Sequence, residues 1–114
     1  MSREILLHET ARLDINDIAD YIARDSLAAA DRFVDAVGDA FERLAEMPGM
    51  GVRREFNNPR LAGMRMWPVT GFSKHLIFYR ATETRLEVIR VLHGSRDLET
   101  LFASFEPEES SAGE

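Results

Sequence analysis

The sequence predicts one α+β domain in which an N-terminal helical hairpin packs on a small, mainly antiparallel sheet. Two observations predict this class. Apolar residues recur at helical spacing through the first 46 of 114 residues, whereas residues 76–80 and 86–92 are apolar, β-branched runs on either side of a polar break. With a short strand before the helices, the expected order is β-α-α-β-β-β-α, ending in a short C-terminal helix.

The first helix is predicted directly after a short strand at residues 4–8. Its apolar residues follow at i, i+3, i+4 and i+7, and they are Ile15, Ile18, Ala19 and Ile22. The opposite face carries Asp14, Asp17 and Asp20 and is expected to be solvated. Acidic residues at this spacing resemble a metal site, but no histidine accompanies them, so no metal is predicted.

The second helix is predicted to begin at Ser26, whose side chain can cap the free N–H groups of the first turn. Residues 48–51, Pro-Gly-Met-Gly, are expected to end it, because proline cannot continue the hydrogen-bond ladder. One apolar stripe between these limits must be buried, and its members are Ala30, Phe33, Val34, Val37, Phe41 and Leu44.

The second half is predicted to supply the sheet. Residues 53–63 read as a polar loop, and residues 64–69 as a strand in which Pro68 indicates an edge or a bulge. Residues 76–80 and 86–92 follow as an antiparallel hairpin. Strict alternation in the last strand would put Leu86, Val88, Arg90 and Leu92 on one face. Since both faces are mostly apolar, this strand is expected to be interior, covered by the helices on one side and by the last helix or a partner on the other.

The last helix is predicted to be capped by Ser95, and its apolar residues are Leu98, Leu101, Phe102 and Phe105. Residues 106–114 hold four glutamates with small and polar residues, and we expect this acidic tail to be disordered. Residues 1–105 are therefore assigned to one domain. The chain has no cysteine and no long apolar run near its N-terminus, which favours a cytoplasmic protein with no membrane segment.

Charge is divided unevenly along the chain. Residues 1–51 hold 5 Lys+Arg against 11 Asp+Glu, residues 52–97 hold 9 against 4, and residues 98–114 hold none against 5. We call residues 52–97 the cationic block. It is typical of a surface that meets a nucleic acid or an acidic polypeptide. The alternative, equally open at this point, is that its arginines only line the solvent face of an amphipathic sheet.

Six motifs in order carry a resemblance to a known family. They are DYI at residues 20–22, AAADRF at 28–33, MPGMG at 47–51, MRMWPV at 64–69, LIFYR at 76–80 and RVLHGSRD at 90–97. Over residues 5–102 the chain resembles the RelE/ParE superfamily of bacterial toxins from type II toxin-antitoxin systems, and within it the ParE branch. The resemblance implies a RelE-like fold and a cytoplasmic toxin without a cofactor. It also implies neutralisation by a ParD-like antitoxin, through which alone the toxin would reach operator DNA.

Two activities occur in the superfamily that the chain resembles, namely cleavage of mRNA on the ribosome and inhibition of DNA gyrase. Arg96 matches the arginine of the nucleases, but Phe102 stands where they keep a tyrosine, and Leu76 stands where an arginine is expected if Tyr79 is the adjoining family tyrosine. RNA cleavage needs both an acid and a base, and His93 is the one remaining candidate.

A gyrase inhibitor that acts by binding, with no catalytic residue, is therefore predicted. A nuclease using His93 and Arg96, or a non-toxic relative that only binds the antitoxin, are the alternatives. His93 could equally serve to hydrogen-bond the turn that follows it.

The residues predicted to bind the target are Arg65, Arg80, His93, Arg96, Leu98 and Phe102. The antitoxin is expected to place apolar anchors near three residues of this chain, Phe33, Val37 and Trp67, and acidic side chains near three others, Arg53, Arg54 and Arg65.

Overall fold

The computed structural model describes residues 2–103, which form three α-helices and a five-stranded sheet. The α+β class is as predicted, and the order of helices and strands differs from the predicted one by a single additional short strand. The elements are β1 (Glu4–Leu7), α1 (Glu9–Ala23), α2 (Leu27–Glu46), β2 (Val52–Arg53), β3 (Arg65–Val69), β4 (Phe72–Ala81), β5 (Arg85–His93) and α3 (Leu98–Ala103). Phe105 and the acidic tail predicted at residues 106–114 lie outside the described residues.

Helix α2 begins and ends where its flanking residues predict. Ser26 Oγ accepts a hydrogen bond of 3.0 Å from the backbone N–H of Ala29, which confirms it as the N-cap of α2. Pro48 starts a 3₁₀ turn directly after α2. The predicted stripe of α2 is buried except for Val34, which is 47% exposed.

The strands follow the order β1-β5-β4-β3-β2. β1 runs parallel to β5, and all other neighbours are antiparallel. β5 therefore lies between two strands, as its apolar faces predict. β2 was not predicted, because its two residues, Val52 and Arg53, fall in a polar stretch and pair only with Met66 and Arg65.

A β-bulge in β5 changes which residues face the helices. Phe78 pairs with Arg90 while the next residue, Tyr79, pairs with Val88, so Ile89 is an extra residue on β5. A bulge shifts the side-chain alternation by one position. The expectation of strict alternation along this strand is therefore wrong beyond Val88.

The bulge lets β5 contribute to two hydrophobic clusters, one on each face of the sheet. On the helical face, Val91 packs together with Leu86 and Val88, and the cluster includes Phe33, Leu44, Ile77 and Tyr79. On the other face, Ile89 and Leu92 pack with α3 and with the segment before β3, and the cluster includes Leu61, Met64, Phe78, Leu98 and Phe102. α3 thus covers the second face of β5, as predicted.

The helices were compared with the length and apolar character that a membrane span requires. Across residues 2–103, none of them is both long enough and apolar enough to cross a bilayer.

Candidate functional site

The loop from β5 to α3 holds the two residues that a nuclease would use. His93 ends β5, and its Nδ1 accepts a hydrogen bond of 3.1 Å from the backbone N–H of Ser95. Its carbonyl accepts another from the N–H of Arg96. His93 thus stabilises the turn before α3, as the structural alternative predicts, and only its Nε2 is left for chemistry. The Arg96 side chain is exposed and makes no ion pair with any residue of 2–103.

A second histidine, His75, lies opposite His93 on the neighbouring strand. His75 of β4 pairs with His93, and the two rings meet edge to face with centroids 5.2 Å apart. On its other side His75 contacts Phe33 of α2. Burial, with a contribution from His93, lowers the pKa of His75 below its usual 6.5. This shift favours the neutral form of His75.

A shallow cavity of about 380 Å³ opens beside His93, lined by Ser73, Lys74, Leu76, His93, Gly94 and Ser95. Lys74 is exposed at its rim. His75 is not among the lining residues, so the cavity offers one imidazole, that of His93, and the amine of Lys74. This set can bind an anionic group, and besides His93 only Lys74 of the lining residues could act as an acid or base in RNA cleavage.

Tyr79, the other phenol considered for catalysis, serves the fold. Its hydroxyl donates to the carbonyl of Pro48 and accepts from the N–H of Gly51 at 2.9 Å. The side chain is fully buried, and burial raises the pKa of the phenol above its usual 10.0. Gly51 must be glycine here, because a Cβ would lie 2.2 Å from the hydroxyl oxygen. Tyr79 thus ties the end of α2 to the sheet and has no proton to offer a substrate.

Phe102 and Leu98 belong to the core, so the expectation that they contact a target is corrected. Phe102 is fully buried, with its ring centroid 4.7 Å from that of Phe56 and 5.3 Å from that of Phe78. Its carbonyl accepts a hydrogen bond of 3.0 Å from Asn58 Nδ2. Leu98 is 8% exposed. Both side chains hold α3 against the sheet and present almost no surface.

Arg90 of the cationic block lies at the bulge of β5, and its side chain is 18% exposed. Its Nε and Nη2 donate to the two carboxylate oxygens of Asp14 at 2.7 and 2.9 Å, and the N–H of Val91 donates to the same carboxylate at 3.0 Å. The Asp14 side chain is only 13% exposed. The prediction that Asp14 lies on a solvated face is therefore wrong, because it fixes α1 to the bulge.

Arg80 and Arg65, predicted to bind a target, also make bonds within the chain. Arg80 donates to Glu87 at 3.0 Å and to the carbonyl of Arg60 at 2.8 Å, and its side chain is 28% exposed. Arg65 donates to the carbonyl of Gly51 at 2.7 Å. These two arginines are bound to neighbouring segments, so they neither stand free for a target nor simply line an open solvent face.

The arginines expected to meet the antitoxin lie at the β2 edge. Arg53 is exposed, with its guanidinium 3.6 Å from the carboxylate of Glu55. The guanidinium of Arg54 lies over the ring of Phe56, 4.5 Å from its centroid. Both remain at the surface, whereas two of the three apolar anchors predicted with them, Phe33 and Val37, are buried.

Comparisons with known proteins identify the family. A family model described as ParE toxin of type II toxin-antitoxin system, parDE, matches residues 5–98. The chain belongs to the ParE toxin family. A solved structure titled "Chromosomal ParDE TA system from P. aeruginosa" is similar to this chain with 16% sequence identity and a TM-score of 0.64, covering 81% of this chain and 96% of that one. It supports the fold. No curated protein sequence matches the chain.

For a ParE-family toxin, the antitoxin surface predicted from α2 must be revised. Phe33 is fully buried and Val37 is 3% exposed, since both pack onto the sheet. They cannot serve as anchors in this conformation. The apolar side chains that the hairpin does expose went unassigned, and they are Leu13, Tyr21, Leu27 and Val34. Trp67, by contrast, is partly exposed and lines a groove between α2 and β3.

Metal binding has no structural basis in the described chain. Within residues 2–103, no three or more His, Asp or Glu side chains come together in an arrangement that could hold an ion.

Proposed function

We propose that this ParE-family toxin arrests growth by binding DNA gyrase in the cytoplasm, without catalysing a reaction, and that a ParD-like antitoxin neutralises it. The observation that carries the proposal is that, among residues 2–103, no available phenol lies at the loop between β5 and α3. Phe102 fills the position of the nuclease tyrosine and is buried, and the hydroxyl of Tyr79 is bonded to Pro48 and Gly51.

The chemistry of RNA cleavage explains why this observation favours action by binding over catalysis. Attack by a 2′-hydroxyl requires one group that accepts a proton and another that donates one, and each positioned group is worth roughly 10² to 10⁴ in rate. With Nδ1 of His93 engaged by Ser95, the groups left at the cavity are its Nε2 and the amine of Lys74, which no hydrogen bond or ion pair within residues 2–103 positions. A toxin that stabilises one state of gyrase by binding needs neither group.

The target-binding surface in this proposal is the loop between β5 and α3 together with the neighbouring start of β4. Arg96 and Lys74 are exposed cations there, and His93 lines the cavity between them. Arg65 and Arg80 contribute less than the sequence suggests, because bonds to Gly51, Glu87 and Arg60 occupy them.

The surface can be tested by alanine substitution. We expect Arg96→Ala to weaken growth arrest by about tenfold, measured as the inducer concentration that halves growth, because removing a surface cation costs binding without disturbing the fold. Arg80→Ala should act mainly through stability. Equal toxicity of Arg96→Ala and wild type would remove this loop from the target surface.

The activity itself is tested with the purified chain in two reactions, supercoiling by gyrase and translation of a defined mRNA. The proposal predicts inhibited supercoiling with accumulation of cleaved DNA, and intact mRNA. Cut mRNA together with normal supercoiling would establish the nuclease instead.

The nuclease alternative is kept because His93 borders a cavity next to Lys74. In that case His93→Ala would abolish RNA cleavage. No effect in either reaction, with antitoxin binding retained, would identify a non-toxic relative.

The antitoxin is proposed to act by covering the toxin. Arg53 and Arg54 at the β2 edge are available for acidic antitoxin side chains. Through this complex alone the toxin would reach operator DNA.

A further inference from the structure

A cavity of about 430 Å³ lies where four distant segments of the chain meet. These segments are the residue before β1, the turn after α2, the start of β3 with the residues that precede it, and the connection between β4 and β5. The lining includes Arg3, Gly49, Gly63, Arg65, Thr82 and Glu83. We call this feature the two-arginine cavity. Its volume lies within the range of sites that bind small molecules.

The two-arginine cavity is separate from the target-binding surface proposed above. Ala81, the last residue of β4, lines it, whereas Ser73 and Lys74 at the start of the same strand line the cavity beside His93. At about 3.3 Å per residue, Lys74 and Ala81 are roughly 23 Å apart along the strand. A ligand in the two-arginine cavity therefore takes no part in the proposed contact with gyrase.

Hydrogen bonds to backbone carbonyls hold both guanidinium groups in place. Arg3 donates from Nε to Thr82 at 2.6 Å and from Nη1 to Ala45 at 3.2 Å. Arg65 donates from Nη1 to Gly51 at 2.7 Å. Because a guanidinium has several more N–H donors than these bonds use, each arginine keeps donors that have no acceptor among residues 2–103. Both groups are thus positioned in advance and still able to bind an anion.

The positive charge of the two arginines is not neutralised within the described chain. A carbonyl carries no net charge, and no carboxylate of residues 2–103 lies within 4.0 Å of a side-chain nitrogen of Arg3 or Arg65. Glu83 also lines the cavity, so two arginines against one glutamate give the lining a net charge of +1. Like charges that share a cavity repel each other, and a bound anion relieves this repulsion.

Part of the wall beside the arginines has no side chains. Gly49 and Gly63 line the cavity, and a Cβ placed on either of them would meet no other atom within 4 Å. The space next to the backbone is therefore open to a ligand. Gly63 has a φ of +85°, a conformation that favours glycine, so the turn itself keeps this wall free of a side chain.

We propose that the two-arginine cavity binds a phosphate group. A carboxylate has two oxygens and matches the fork of a single guanidinium, whereas a phosphate has enough oxygens to accept from two guanidinium groups at once. Arg3 and Arg65, which come from opposite halves of the chain, are the groups that would bind it. The phosphate belongs either to a small phosphorylated molecule or to the backbone of a nucleic acid.

The amide signals of the glycines report where an anion binds. The toxin is labelled at its glycines and titrated with inorganic phosphate at constant ionic strength, and the amide signals are followed by NMR. We expect the signals of Gly49 and Gly63 to shift until the site is saturated, while that of Gly94, which lines the cavity beside His93, stays in place. Shifts confined to Gly94, or no saturable shift at Gly49 and Gly63, would overturn the proposal.

Substitutions that change the charge of the lining in both directions test the arginines. Arg3→Gln should weaken phosphate binding by about tenfold, because it removes one guanidinium. Glu83→Gln should strengthen binding by roughly threefold, because it removes the carboxylate that opposes the anion. The matched control is Arg60→Gln, which makes the same change of net charge at an exposed arginine outside the lining and should stay within about twofold of wild type.

Thermal melting without phosphate checks that the variants fold. If Arg3→Gln does not fold, Glu83→Gln still decides, since an unchanged affinity in that variant would contradict a site in this cavity. Equal weakening by Arg3→Gln and Arg60→Gln would show that the phosphate responds only to net charge, which would also overturn the proposal.

Further probes identify the source of the phosphate. Adenosine monophosphate should shift Gly49 and Gly63 and adenosine should not, because the two molecules differ only in the phosphate. Equal shifts with both would refute recognition of the phosphate. Tighter binding of adenosine monophosphate than of a short DNA duplex would support a small phosphorylated ligand, and the reverse order would support a nucleic acid backbone.

Discussion

The cationic block and helix α2 use charge in opposite ways. In the block, Arg90 and Arg80 are held by Asp14 and Glu87 within the chain. On α2, three acidic side chains line the groove between this helix and β3. They are Asp39, Glu42 and Glu46, and none of them forms an ion pair within residues 2–103. The block stands out in the sequence, yet much of its charge serves the fold. The difference teaches that charges bonded within the chain stabilise it, and that unbonded ones are available for recognition.

The largest expected effect concerns a residue that the sequence assigns to recognition and the structure to the core. Phe102→Ala should lower the free energy of unfolding by about 4 kcal/mol, because it removes a fully buried ring between Phe56 and Phe78. Urea denaturation measures the change. Leu27→Ala is the control, since Leu27 is 74% exposed and should cost no more than about 0.5 kcal/mol. A folded Phe102→Ala protein with unchanged stability would return α3 to the recognition surface.

The second prediction tests the bonded charges directly. Asp14→Ala should lower the free energy of unfolding by about 3 kcal/mol, because it leaves the guanidinium of Arg90 and the N–H of Val91 without their acceptor. Asp17→Ala, an exposed neighbour on the same helix, should change it by less than about 0.5 kcal/mol. Equal melting temperatures of the two variants would contradict a structural role for this part of the cationic block.

The third prediction concerns the turn held by Tyr79. Gly51→Ala should cost about 2 kcal/mol, since the new methyl group would meet the Tyr79 hydroxyl and the carbonyl of Met66. Gly49→Ala in the same turn is a matched control, because nothing lies within 4 Å of a Cβ placed there. Chemical denaturation of the pair provides the measurement. If both substitutions were neutral, Tyr79 would be less firmly engaged, and its phenol would again be a candidate for chemistry.

The smallest effect is a dependence of stability on pH. The pKa of His75 is lowered in the folded state by burial and by His93. As pH falls below 6.5, the unfolded chain takes up a proton that folded His75 resists, so the free energy of unfolding falls. Above 6.5 this loss disappears. Denaturation at pH 7.5, 6.5 and 5.5 should show a shallower decline in His75→Gln, with His93→Gln between that variant and wild type. Parallel declines in all three proteins would exclude this coupling.

Features encoded by neighbouring residues were mostly predicted correctly from the sequence, although α3 is capped by Asp97, which accepts from the N–H of Thr100 at 3.2 Å, and not by Ser95 as predicted. Ser26 caps α2 and Pro48 follows its end, because both effects act within one helical turn. The β4–β5 hairpin follows from two apolar runs and a short polar connection.

Features that depend on distant residues were not predicted. The bulge in β5 involves Arg90 and Val91, whose partner Asp14 lies 76 and 77 residues away. The spacing of the aspartates in α1 gave no sign that one of them turns inward. The burial of Phe33 and Val37 did follow from the apolar stripe of α2, and what their packing against the sheet overturns is their assignment to the antitoxin surface. The groove between α2 and β3 is formed by residues that are distant in the sequence, so the sequence pattern gave no indication of it.

The most direct test of action by binding is the affinity of the purified toxin for gyrase, measured with gyrase alone and with gyrase engaged on cleaved DNA. Stabilisation of one state requires tighter binding to that state. The proposal predicts at least about tenfold higher affinity for the complex with cleaved DNA. Equal affinity for both forms, or no binding to either, would contradict it.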